Sequence, residues 1–140
     1  MKISTKGRYA VRMLADIAEH GTPYTTLSSV AERQGISKKY LEQIALQLHR
    51  AGLITGVRGF KGGYKLAIPP ESITVLDILT AVEGSMAVVS CLEDEENRCS
   101  RCQGCKTLPV WEGLKERIEA YLGGITLADV AATPTAGDEP

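Results

Sequence analysis

Thr26-Leu27-Ser28-Ser29-Val30-Ala31-Glu32-Arg33-Gln34-Gly35-Ile36-Ser37-Lys38-Lys39-Tyr40-Leu41-Glu42-Gln43-Ile44 is the stretch whose reading decides the fold. Thr26 suits a helix N-cap, and Leu27, Val30 and Ala31 follow it at helical spacing. Gly35 stops that helix, and Ser37 caps another after only a few residues. The second helix spans about Lys38 to Arg50, with Leu41, Ile44, Ala45 and Leu48 facing inward and Gly52 ending it. Two short helices joined by a tight turn containing Gly mark a helix-turn-helix.

Upstream, Tyr9 to His20 carries Met13, Leu14 and Ile17 at the three-and-four spacing of an amphipathic helix, ended by Gly21-Thr22-Pro23. Downstream, Leu53 to Arg58 alternates as a strand, and Tyr64 to Ile68 reads as its antiparallel partner. Between them, Gly59-Phe60-Lys61-Gly62-Gly63 is a Gly-rich basic hairpin. The order helix, turn, helix, basic hairpin is that of a winged helix. Thr74 and Asp77 then open a helix over Val75–Val82 in the manner of a capping box. Met86 to Cys91 reads as a brief strand or buried segment, and Leu92 to Gly104 as a polar, acidic, Cys-rich loop. Thr107 to Leu122 returns to helical spacing through Leu108, Trp111, Leu114, Ile118 and Tyr121, a helix about 24 Å long. Thr126 caps a last turn, and the chain from Ala131 to Pro140 reads as a disordered tail. The fold class is mainly α with a small β-hairpin wing. The division is a DNA-binding domain over 1–83, a Cys-rich loop over 84–105, a helix over 106–125 and a short turn with tail over 126–140.

Charge is distributed unevenly. Residues 1–65 hold eleven Lys/Arg against four Asp/Glu, a net of +7, and residues 66–140 hold five against thirteen, a net of −8. A basic half suits a polyanion. Candidate contacts to double-stranded DNA are Ser37, Lys38, Lys39, Tyr40, Glu42 and Gln43, at the start of the reading helix. Its hydroxyls suit phosphate, and its Glu and Gln suit base edges. Arg58 and Lys61 in the hairpin and Lys6 and Arg8 near the N-terminus complete the set. The hairpin lacks the Lys-Ser/Thr ending of a phosphate-binding loop, and neither a nucleotide-binding Gly pattern nor a nucleophile–base pairing suggests an enzyme. The N-terminus has no apolar core of a secretory signal, and no apolar run approaches the roughly 20 residues of a membrane span, so a cytoplasmic location is expected.

All four cysteines, Cys91, Cys99, Cys102 and Cys105, fall within fifteen residues. Clustered thiols in a cytoplasmic chain point to metal or redox chemistry, because disulfides are rare there. Thiolates select iron–sulfur clusters or zinc. The even spacing of the last three resembles a bacterial ferredoxin run, while a four-thiolate zinc site stabilising a DNA-binding or interaction module is a rival. An electron-transfer protein is a third, weaker reading. His20 and His49 sit at helix ends, where their charge favours the dipole.

Ser4-Thr5-Lys6-Gly7-Arg8-Tyr9-Ala10, Ala31 to Ser37, Tyr40 to Ile44, Val57 to Tyr64 and Ile73 to Ile78 together resemble the IscR/NsrR/RirA-type family of winged-helix transcriptional regulators, in that family's order. The resemblance spans about Met1 to Leu122. It implies a homodimer on a pseudo-palindromic operator, paired through the long helix near Lys106–Leu122, with an iron–sulfur cluster tuning DNA affinity. It places cluster ligands at Cys91, Cys99 and Cys105, and DNA contacts at Ser37, Lys39, Tyr40, Glu42 and Arg58. The IscR-like branch has a His three residues after the last Cys, where this chain has Leu108. Cys102 is an extra thiol that could serve as fourth ligand, and a 4Fe–4S cluster is favoured over 2Fe–2S.

Overall fold

Thr5, capped by Ser4, and not Tyr9, begins the first helix. In the computed structural model, which describes residues 2–57, 62–94, 96–97, 99–135 and 137, α1 spans Thr5–His20. The Ser4 hydroxyl accepts from the Gly7 N–H at 2.9 Å, which satisfies one of the orphan donors at the helix start. Periodicity missed this first turn because Thr5, Lys6 and Arg8 are polar. A second partner fixes it from a distance. Glu83 Oε1 accepts from the Ser4 N–H at 2.8 Å and also bonds the Ser4 hydroxyl.

α2 (Leu27–Gln34) and α3 (Lys38–Arg50) follow, capped by Thr26 and Ser37. Gly35 between them has φ +65°, a left-handed conformation that glycine adopts without a Cβ clash. β1 (Ile54–Val57) and β2 (Gly63–Leu66) pair antiparallel, with Ile54 opposite Leu66 and Val57 opposite Gly63. The ladder is shorter than the alternation suggests, and Arg58, Gly59, Phe60 and Lys61 at its tip lie outside the described residues. The base of the hairpin gains a third edge from Thr25. Its N–H donates to the Tyr64 carbonyl at 3.0 Å, and its carbonyl accepts from the Tyr64 N–H at 2.8 Å.

α4 (Val75–Glu83) carries the full capping box of Thr74 and Asp77. Met86 to Cys91 forms no strand and is not buried: Met86 to Val89 are half-buried, and Ser90–Leu92 is a single 3-10 turn. A strand needs an edge to pair with, and the two-stranded hairpin lies elsewhere. A second 3-10 turn, Cys102–Gly104, precedes α5 (Leu108–Gly123).

The core joins α1 to α3 and α4, with Ala10, Met13, Leu14, Leu41, Ile44 and Ile78 all fully buried. Each of the larger of these side chains, Met13, Leu14, Leu41, Ile44 and Ile78, contributes roughly 1.5–3 kcal/mol by leaving water. α6 (Leu127–Ala131) returns to this core, capped by Thr126 and Asp129. Leu127 is fully buried, its N–H donates to the Ile73 carbonyl at 2.7 Å, and the Val75 N–H donates to the Ile125 carbonyl at 2.9 Å. α5 behaves otherwise. None of its residues is buried, Leu108, Trp111 and Ile118 are half-buried, and Val110, Leu114 and Tyr121 are exposed at 59, 38 and 70%. Ala131, expected to begin the tail, is instead the last residue of α6; residues 132–135 and 137 are exposed, and 136 and 138–140 lie outside the described residues. The architecture is a winged helix-turn-helix followed by a long, incompletely covered helix.

Candidate functional site

Three structural features converge on one face. The start of α2, the start of α3 and the base of the hairpin enclose a hollow lined by Thr26, Ser28, Lys38, Gly63 and Tyr64. Two helix starts lie beside one another here, and the positive ends of their dipoles favour anions. Ser37 caps α3 by accepting from the Tyr40 N–H at 3.3 Å. Lys38, Lys39, Glu42 and Gln43 are exposed on the first turns of α3, and Tyr40 is half-buried. The Tyr40 ring meets the edge of Tyr9 at 5.7 Å and 85°, which fixes its direction. Lys6 is half-buried and Arg8 exposed on α1, where Arg8 Nη2 donates to Thr5 Oγ1 at 3.1 Å. Arg58 and Lys61 lie outside the described residues.

The cysteines lie together in sequence but are not all drawn together in space: Cys91 and Cys99 share one hollow, and Cys105 lines another. Cys91 sits on the Ser90–Leu92 turn and lines a hollow with Cys99, Asp94 and Glu96. Cys105 lines a separate hollow with Arg101, Lys106 and Thr107. Cys102 is half-buried and Cys99 exposed, and Cys99's N–H donates to Asn97 Oδ1 at 2.9 Å. The Cys105 thiol lies 3.3 Å from the Thr107 hydroxyl. That contact, the backbone N–H groups of Thr107 and Leu108 at the start of α5, and the charge of Arg101 hold its pKa below the usual thiol value. No three His, Cys, Asp or Glu side chains among the described residues stand close enough to hold a metal ion. The donor chemistry of the segment fits a soft metal or cluster, and none of the four cysteines is buried. The conformation described does not gather them.

Comparison with known proteins sets these features in a family. Residues 3–133 match the Rrf2 family model, described as an iron-dependent transcriptional regulator. The chain belongs to the Rrf2 family. It is 44% identical to a putative helix-turn-helix transcriptional regulator of Haemophilus influenzae, over 93% of this chain and 86% of that one. Among solved structures it is similar to CymR, the global cysteine regulator of B. subtilis, with a TM-score of 0.78, 34% identity and coverage of 96% and 99%. It is likewise similar to T. potens IscR, with a TM-score of 0.75, 39% identity and coverage of 100% and 93%. These Rrf2 relatives are transcriptional regulators, not enzymes, and the winged-helix expectation stands with them. No helix among the described residues is long and apolar enough to cross a membrane.

The sequence reading missed several residues behind this Rrf2 face. Ser28 lines the hollow beside Lys38, and Arg12 reaches from α1 to Gln34. Asp16 is buried within the apolar stripe of α1. A carboxylate at helical spacing from Met13 is the signal that could have found it.

Proposed function

We propose that this Rrf2 protein is a cytoplasmic, homodimeric regulator that binds an operator through α3 and the hairpin, with affinity set by a group ligated in the Cys-rich segment. The observation that carries the DNA reading is the convergence of two helix starts and the hairpin base around Lys38. Ser37, Lys38, Lys39 and Tyr40 would hold phosphates, Glu42 and Gln43 would meet base edges, and Arg58 and Lys61 would reach a neighbouring groove, with Lys6 and Arg8 adding charge. The proposed division is a DNA-binding domain over 1–83, the ligand segment over 84–105, the pairing helix over 106–125 and a terminal turn and tail over 126–140. The apolar, uncovered residues of α5 support pairing between subunits.

Cys91, Cys99 and Cys105 would hold the group, with Cys102 as the fourth thiol. An iron–sulfur cluster of the 4Fe–4S kind, when bound, supplies sensitivity to oxidation, nitric oxide or iron supply. The family's description as iron-dependent favours this over zinc. The segment lies between α4 and α5, so ordering it acts on the uncovered helix and on Glu83.

The test is anaerobic purification, with absorption spectroscopy and counts of iron, acid-labile sulfide and zinc. Operator affinity is then compared before and after stripping, and in a variant with Cys91, Cys99 and Cys105 replaced by Ala. Iron and sulfide together with an affinity change of about 5- to 150-fold support the reading. Zinc without iron replaces the cluster with a structural metal, and unchanged affinity in the triple variant refutes ligand control.

A further inference from the structure

A buried carboxylate requires partners, because desolvation disfavours an unpaired charge. Asp16 is 1% exposed at its side chain, and its partners all come from the end of α2. Arg33 grips it with two prongs, Nε to Oδ2 at 2.9 Å and Nη2 to Oδ1 at 2.6 Å. Gln34 Nε2 donates to Oδ2 at 3.0 Å. From this hub one branch runs to the hairpin. Arg33 Nη2 also donates to Thr25 Oγ1 at 2.9 Å, and Thr25 pairs through both its N–H and its carbonyl with Tyr64 of β2. The fit there is close, since a Cβ on Gly63 would collide with the Tyr24 ring and come within 2.7 Å of the Thr25 carbonyl oxygen.

The other branch runs to the reading helix. Arg12 Nε donates to Gln34 Oε1 at 3.2 Å, and Arg12 Nη2 bonds the Gln34 carbonyl. The Arg12 guanidinium lies 5.3 Å from the Tyr9 ring centre, and Tyr9 meets Tyr40 edge-on. A network serving only to hold α1 to α2 would need neither branch. A two-pronged pair between a buried carboxylate and a planar guanidinium fixes the relative direction of the two side chains, and here that geometry ends at the two proposed DNA-contacting elements.

We propose that Asp16 and Arg33 are positioning residues for DNA recognition, setting the hairpin through Thr25 and the reading helix through Gln34 and Arg12. The inference rests on the reading of the hairpin as a DNA contact. A clamp of this kind acts on DNA only through the elements it holds, so its effect and theirs are not additive.

The experiment uses the full chain and a duplex selected by it from a random-sequence library. Affinity is measured by fluorescence anisotropy for Arg58→Ala, Arg33→Lys, Thr25→Val and the two doubles with Arg58→Ala. Thr25→Val keeps the Asp16–Arg33 pair and removes only the acceptor toward the hairpin, so it remains informative if Arg33→Lys folds poorly. Arg58→Ala is expected to weaken binding about tenfold in the unmodified chain. In either clamp background that penalty is expected to shrink to about threefold or less. A full penalty in both backgrounds overturns the clamp and leaves the pair a structural one. An Arg58→Ala variant that binds normally overturns the hairpin contact itself, and the clamp inference with it.

Discussion

Leu127→Ala is expected to destabilise the whole winged helix, although α6 is only five residues long. The side chain is fully buried, and its backbone N–H is tied to the Ile73 carbonyl beside α4. The change removes three carbons, which at about 0.8 kcal/mol each gives about 2.4 kcal/mol of lost transfer energy. The cavity left behind raises the loss to roughly 3–4 kcal/mol, within the range of buried Leu-to-Ala changes. For a chain of this size each kcal/mol lowers the melting temperature by about 2–4 °C. A fall of about 6–16 °C therefore follows. Urea unfolding followed by far-UV circular dichroism gives the free energy, and a thermal scan gives the midpoint. A loss below about 1 kcal/mol at unchanged denaturant slope would refute the reasoning, because it would mean that α6 unfolds apart from the core.

Two further changes test local geometry. Gly63→Ala must displace both the Tyr24 ring and the Thr25 carbonyl, so a loss of about 1–3 kcal/mol is expected; an unaltered thermal midpoint would show that the hairpin base gives way freely. Asp129 accepts from the Thr126 N–H at 3.0 Å, and the backbone and side chain of Thr126 hold its carboxyl below the ordinary aspartate range. A depressed carboxylate stabilises the fold at pH values above its unfolded pKa and loses that contribution as pH falls through the folded one. The melting gap between the parent chain and Asp129→Asn should therefore be widest near neutrality and narrow as the pH falls below the ordinary aspartate range, and a gap that does not narrow there would contradict it.

The helix-turn-helix was legible because short-range rules agreed there. Thr26, Ser37 and Thr74 each cap the helix that they were expected to cap, and Leu41, Ile44 and Leu48 are buried as their spacing requires. The reading failed where the decisive partner is distant in sequence. The start of α1 is held by Glu83, across 79 positions, and no periodicity announces it. The burial of Leu127 depends on Ile73 and α1, so a single capped turn gave no hint of it. Met86 to Cys91 is apolar enough for a strand but joins none of the strands among the described residues. At the candidate site, the spacing of the cysteines suggested metal or redox chemistry, yet it could not show that Cys91 and Cys105 line different hollows. Asp16 escaped notice because its partners Arg33 and Gln34 belong to another helix.

The bond between Glu83 and Ser4 has a thermodynamic consequence. Glu83 is the last residue of α4 before the Cys-rich segment, and Ser4 opens the helix that carries Lys6 and Arg8. Two binding events that meet at one contact share a single coupling free energy, and that energy acts equally in both directions. To whatever degree occupancy of the segment alters affinity for DNA, the operator alters affinity for the occupant by the same factor. Protein seated on its operator and protein free in solution would then differ in how readily they load and lose their ligand.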